Sequence, residues 1–219
     1  MALALILAAL AMIGPFTIDT YLPSFPFIAA DLLATPAQMQ QTLSLYLFTL
    51  AFMTLFHGTL SDSFGRRSII LASLAVYVLT SVGCALASSL PQLLFWRAVQ
   101  GLAAGAGIIV GRAIIRDSFG GHEAQRLMSL VTMIFGIAPA VAPVIGGWLQ
   151  DWFGWRAIFW FLAIYGVALL FAVARRLPET HPPAARQPFQ MRPLLRNYLR
   201  LGRDPKLVLL CLVIAFNFS

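Results

Sequence analysis

Gly58-Thr-Leu-Ser-Asp62-Ser-Phe-Gly65-Arg66-Arg67-Ser-Ile69 is a short polar turn wedged between two long apolar runs. Nearly the same letters return as Gly147-Trp-Leu-Gln-Asp151-Trp-Phe-Gly154-Trp-Arg156-Ala-Ile158. The offset is 89 throughout, and seven of the twelve positions are identical. The chain therefore reads as two related units of about 89 residues, and each unit must hold the same number of elements.

Composition says what those elements are. Hydrophobic residues make up 60% of the chain, charged residues only 11%, and mean hydropathy is +0.84, whereas a soluble domain carries roughly 25% charged residues. These values describe a membrane protein. The net charge of +7 invites comparison with nucleic-acid binders, but the arginines flank apolar runs and do not form an aromatic-laced basic face. No nucleic-acid partner is expected. Cys84 and Cys211 both lie within apolar runs, which argues against a disulfide framework. No cluster of His, Cys and carboxylates has metal-ligand spacing, so neither metal nor cofactor is expected. An enzyme is not expected either, since no nucleophile, base and orienting group stand at workable spacing.

Hydropathy places six spans at about 2–24, 38–60, 68–88, 91–113, 126–147 and 156–174. The expected architecture is an all-α, six-helix transmembrane bundle over 1–176. Pro15, Pro23 and Pro26 predict a kinked outer end to span 1, and Thr35-Pro36 predicts an N-cap for span 2. Two units of three spans each require the second unit to start from the opposite side of the bilayer, an inverted-topology repeat. Of the 15 basic residues, 13 fall on one side of the membrane, all but Arg97 and Arg156. That side, and with it the N-terminus, is expected to be cytoplasmic. The proline- and arginine-rich stretch 177–205 reads as a cytosolic linker. The run 206–219 reads as the start of a seventh span, stopping short of the ~20 residues a crossing needs. The expectation is a first half, with a second six-span half as its partner.

Asp19 and Arg97 are the full charges set well inside the spans. With a rise of ~1.5 Å per residue, Arg97 lies ~9 Å inward from Pro91, a depth that matches Asp19. Because a lone charge in hydrocarbon is expensive, each is the obvious partner of the other. Two readings stand at this point: a structural ion pair locking span 1 to span 4, or a proton-coupling site in which Asp19 titrates as the cavity opens. Tyr21, Gln41, Thr42, Tyr46 and Gln100 are candidates for lining the same substrate cavity, or for helix-to-helix hydrogen bonding. His57 reads as an interfacial histidine. Gly136, Pro139, Pro143, Gly146 and Gly147 in span 5 read as a hinge or seal, because two prolines release backbone groups that lipid cannot satisfy. Asp62 can cap a helix end, and Asp117 can pair with Arg66.

At these residues the chain resembles the major facilitator superfamily. Gly58-x-Leu-x-Asp62-x-x-Gly65-Arg66-Arg67 is similar to that superfamily's loop between spans 2 and 3. Arg97-x-x-Gln100-Gly101 is similar to its span 4 motif, and Gly136 to Gly147 to its span 5 antiporter motif, with Ala138-Pro139 and Ala142-Pro143 where a Gly-Pro pair is usual. Asp19-Thr-Tyr21-Leu-Pro23 and Arg112-Ala-Ile-Ile-Arg116-Asp117 resemble the bicyclomycin-resistance (Bcr/CflA) type of drug:proton antiporter. The resemblance implies a twelve-span bacterial inner-membrane protein that imports protons and exports a small lipophilic drug by alternating access. In that reading Asp19 is the protonatable acid and Arg97 its partner, while Gly58, Asp62, Gly65, Arg66, Arg67, Arg112 and Asp117 form a cytosolic gate. A facilitator of the same fold without proton coupling, and a transport-incompetent scaffold, are the competing expectations.

Overall fold

The computed structural model describes residues 2–186, 188–203, 205 and 209. Its helices are α1 (Ala2–Asp19), α2 (Phe25–Asp31), α3 (Pro36–Phe64), α4 (Arg66–Ala85), α5 (Leu90–Ala104), α6 (Ala106–Ser118), α7 (Gly121–Phe153), α8 (Arg156–Arg176) and α9 (Met191–Leu201). Among the described residues, six continuous or once-broken helices are long and apolar enough to cross a membrane. Residues Met1–Arg186 form one compact unit and Gln187–Ser219 another. Apart from Leu209, the run expected to begin a seventh span lies outside the described residues.

Local chemistry sets the breaks. Span 1 ends as α1 at Asp19, passes through a 3-10 turn at Leu22–Ser24, and resumes as α2. Pro23 and Pro26 there lack the N–H that would continue the helix. Span 4 is interrupted once, at Gly105 between α5 and α6. The start of span 2 is a complete capping box: the Gln38 backbone N–H donates to Thr35 Oγ1 at 3.3 Å, and the Thr35 N–H donates to Gln38 Oε1 at 2.8 Å. Pro36 takes the first helical position, where a missing donor costs nothing.

The repeated motif is more helical than its polarity suggests. Residues Gly58 to Phe64 continue α3, and the turn itself is the single residue Gly65. Asp62 consequently lies inside the last turn of α3 and caps no following helix. Gly65 adopts φ +97° and its N–H donates to the Ser61 carbonyl at 3.1 Å. At the same offset, Gly154 adopts φ +79° and its N–H donates to the Gln150 carbonyl at 3.0 Å. A side chain in this left-handed region costs roughly 1–2 kcal/mol, which explains why both copies place glycine there.

Packing obeys the same repeat. α1 packs on α7 as α5 packs on α3, while α4 and α8, the third members of each unit, pack on one another. Burial pairs likewise: 61% and 67% of the most apolar window for spans 1 and 4, 11% and 17% for spans 2 and 5, and 39% for both spans 3 and 6. Arg67 Nη2 donates to the Ala174 carbonyl near the end of α8 at 2.7 Å, and Arg156 Nη2 donates to the Ala87 carbonyl just past α4 at 3.2 Å. Each unit's arginine thus caps the last helix of the other unit. Because α4 runs ~30 Å from Arg66 to Ala85, the two motif turns sit at opposite ends of the bundle.

α7 is continuous through Pro139 and Pro143. It packs on α1, and Ala138, Ala142 and Gly146 are buried at successive turns, whereas Gly136 and Pro139 are exposed and Gly147 is half-buried. A Cβ on Gly146 would fall against the Thr20 backbone, but one on Gly136 or Gly147 would meet nothing within 4 Å. Close approach of α7 to the backbone at Thr20, just past α1, therefore depends on Gly146.

Candidate functional site

The chemistry of the bundle centres on Arg97 in α5, whose side chain is 0% exposed. Its Cζ lies 4.6 Å from the Tyr21 ring centroid and 4.3 Å from that of Tyr46, so the guanidinium is held against an aromatic just past the end of α1 and one from α3. Nη1 donates to Gln100 Oε1 at 2.8 Å and reaches the Thr17 carbonyl at 3.4 Å. Nε and Nη2 have no hydrogen-bond partner among the described residues. A desolvated cation–π contact contributes about 2 kcal/mol or more, and two of them offset part of the cost of burying this charge.

Polar groups radiate from this cation. Gln100 Nε2 donates to Ser81 Oγ at 2.9 Å, and Ser81 Oγ donates to the Tyr77 carbonyl at 2.7 Å, which carries the network into α4. The hydroxyls of Thr17 and Tyr77 are 2.5 Å apart. The Tyr21 hydroxyl is 2.9 Å from Thr42 Oγ1, and the Thr42 hydroxyl donates to the Met39 carbonyl at 2.6 Å. Spans 1, 2, 3 and 4 are in this way tied to one buried charge. Tyr21, Thr42, Tyr46 and Gln100, expected along a cavity, are all closed into this core, while Gln41 is exposed on the flank of α3.

The expected ion pair between Asp19 and Arg97 is not formed: no salt bridge joins them among the described residues. Asp19 is half-buried, two positions beyond Thr17 on α1. Sequence spacing along a span does not specify which way a side chain faces around the helix axis. His57 also departs from expectation. It is 1% exposed, close beneath Gly105, and neither ring nitrogen has a hydrogen-bond partner among the described residues.

A second cluster closes the end of the bundle that carries Gly65. Arg66 is ion-paired with Asp62 one turn earlier, its Nε donates to Asp117 Oδ2 at 3.0 Å, and its Nη1 donates to Ser61 Oγ at 2.6 Å. The Arg66 backbone N–H donates to Glu179 Oε1 at 2.9 Å. α3, α4, α6 and the segment after α8 therefore converge on one arginine, as expected for Arg66 and Asp117. Arg67 serves the end of α8, Arg112 is exposed outside the cluster, and Gly58 is half-buried within α3. Glu179 was missed by sequence reasoning. Its signal was present, as the sole acid between Arg175 and Arg203 in a basic segment. The opposite end carries a looser counterpart, where Asp31 Oδ2 accepts from Arg156 Nη1 at 2.8 Å and from Trp155 Nε1 at 3.1 Å.

Residues 4–219 match the family model of the Major Facilitator Superfamily. The chain belongs to that superfamily. It is 36% identical over 215 residues to a bicyclomycin resistance protein homolog of Haemophilus influenzae, covering 98% of this chain and 54% of the relative. It is 39% identical over 176 residues to the multidrug resistance protein MdtL of Escherichia coli O157:H7, covering 80% of this chain and 45% of the relative. The chain spans about half the length of the curated relatives it matches. Among solved superfamily structures, the proton:xylose symporter XylE aligns with a TM-score of 0.71 at 14% identity over 82% of this chain and 45% of that one. The human organic anion transporter MFSD10 aligns with a TM-score of 0.64 at 19% identity over 88% of this chain and 50% of that one. At such identities these structures establish the major facilitator fold alone, and the six membrane helices found here agree with it.

Proposed function

We propose that this chain is the first six-span bundle of a proton-coupled exporter of small lipophilic drugs, working by alternating access in a bacterial inner membrane with its N-terminus in the cytoplasm. The observation that carries this reading is the buried Arg97 charge, which touches the backbone of α1 at Thr17, two residues before the acid Asp19. A guanidinium held by π faces, with two nitrogens unpartnered among the described residues, is sensitive to any charge that arises nearby. Ionisation of Asp19 is then felt by Arg97 and, through Tyr21, Tyr46 and Gln100, by the helices those residues hold. Proton binding at Asp19 and repacking of α1, α3 and α5 become one linked equilibrium.

The names of the relatives support a drug substrate, and their length supports a second bundle. The sparsely covered faces of α3 and α7 offer that bundle its packing surface, with the substrate path between the two. The Asp62–Arg66–Asp117 cluster acts as the cytosolic latch.

The test is transport by the full gene product in a strain lacking its own pumps, followed by everted vesicles with an imposed pH gradient. Asp19→Asn abolishes gradient-driven efflux and leaves exchange of drug for drug intact. Unchanged gradient-driven efflux in that variant would identify a facilitator without proton coupling. The pair of aromatic contacts also favours a second reading, in which Arg97 only locks helices together. In that case Arg97→Lys lowers thermal stability and transport in parallel and leaves the pH profile of the remaining transport unmoved.

A further inference from the structure

At the end of the bundle that carries Gly65, a cleft of about 600 Å³ opens between the first turns of α1 and α7. Leu5, Phe119, Leu127, Leu130 and Met133 make it apolar, and Glu123 and Arg126 are the charged residues that line it. On α7, positions 123, 126, 127, 130 and 133 share one arc of about 120°, counted at 100° per residue. One stripe of the helix therefore carries both charges and an apolar wall, and it runs ~15 Å from Glu123 to Met133. Opposite charges three residues apart on a helix can meet. Here they do not: Glu123 and Arg126 are both exposed, and neither forms a salt bridge with the other or with any other group among the described residues. Neither belongs to the Arg97 core or to the Arg66 cluster.

We infer that this cleft binds a drug-sized zwitterion with an apolar, aromatic body, its cationic group on Glu123 and its anionic group on Arg126. Charge complementarity selects this occupant. A neutral ligand would engage neither charge, and a simple cation or anion would be attracted by one and repelled by the other. The cleft's volume of about 600 Å³ falls within the roughly 300–1,000 Å³ of sites that enclose drug-sized molecules. Phe119 and Met133 suit a flat aromatic ring, since aromatic rings and thioether sulfur both pack favourably against π systems. The assignment rests on the exporter reading above, in which α7 borders the path between the two bundles. The cleft is then where substrate loads from the cytosolic side, and the exporter prefers compounds that carry paired opposite charges.

The experiment uses the full gene product in a nonionic maltoside detergent at neutral pH and reads ligand binding by fluorescence anisotropy. The probes are norfloxacin, a flat fluorescent zwitterion, its methyl ester, a cation, and its N-acetyl derivative, an anion. The zwitterion binds about fivefold more tightly than either singly charged form. Glu123→Gln erases its advantage over the anion, and Arg126→Gln erases its advantage over the cation. Both positions are exposed, so the unfolding midpoints of these variants stay at the parent value, which separates loss of binding from misfolding. Met133→Gln, at a site 59% exposed, weakens all three probes together. Equal affinity for the three charge forms in the parent protein overturns the proposal, as does a charge preference that both Gln variants retain. Displacement of norfloxacin by stoichiometric phosphatidylethanolamine overturns it too, because the occupant would then be a zwitterionic lipid. Binding is read at equilibrium with no pH gradient, so intact charge selectivity alongside absent gradient-driven efflux counts against the exporter reading alone and supports the cleft.

Discussion

Arg97 illustrates how a single residue can be predicted to matter and still be paired wrongly. Its burial was required once a cation stood among apolar neighbours at depth, and the structure leaves it 0% exposed. What satisfies it is aromatic: the rings of Tyr21 and Tyr46 lie 4.6 and 4.3 Å from Cζ. The ring, and not the hydroxyl, is therefore the energetic element at position 46. Tyr46→Phe keeps the cation–π contact and is expected to stay within ~1 kcal/mol of the parent. Tyr46→Leu loses the contact and strands the charge, at a cost of about 2 kcal/mol or more. Thermal unfolding of the two variants in detergent measures the gap, and equal midpoints would assign the stabilisation of Arg97 elsewhere.

At the scale of elements, the two motif turns share a backbone and differ in what they hold. Gly65 and Gly154 make the same left-handed turn and the same hydrogen bond four residues back. Around Gly65, the Arg66 side chain is 9% exposed and engages two acids and a serine from α3 and α6. Around Gly154, Arg156 and its partner Asp31 are 44% and 45% exposed. Exposed pairs contribute ~0–1 kcal/mol, while removing the partner of a largely buried one costs about 3 kcal/mol. Arg66→Gln is accordingly expected to lower the unfolding midpoint well below that of Arg156→Gln. A larger loss in the Arg156 variant would mean that its bond to the Ala87 carbonyl holds the bundle more firmly than the Arg66 cluster does. The end carrying Gly65 is thus held by more buried ion pairs than the end carrying Gly154, a difference the repeat alone conceals.

For the whole molecule, the inverted repeat makes a compartmental prediction. Ser63 and Trp152 lie beside turns at opposite ends of α4 and α8, so single cysteines there report opposite sides of the membrane. In a variant with Cys84 and Cys211 replaced by serine, a membrane-impermeant maleimide applied to intact cells labels Trp152→Cys, and labels Ser63→Cys only after permeabilisation. Labelling of both from the same side would dismantle the repeat. The sequence by itself determined the six spans, their grouping into threes, the positions of the two turns and the need to bury Arg97, because hydropathy, periodicity and the expense of desolvating charge are all written along one dimension. Helix azimuth is not. Only the tertiary structure decided that Arg97 meets Tyr21 and Tyr46 and, among the described residues, forms no ion pair with Asp19, that Glu179 joins the Arg66 cluster, that His57 is buried, and that Gly146 brings α7 against the backbone at Thr20. Those pairings depend on which face each helix turns toward its neighbours, a choice made by the packing of all six spans together.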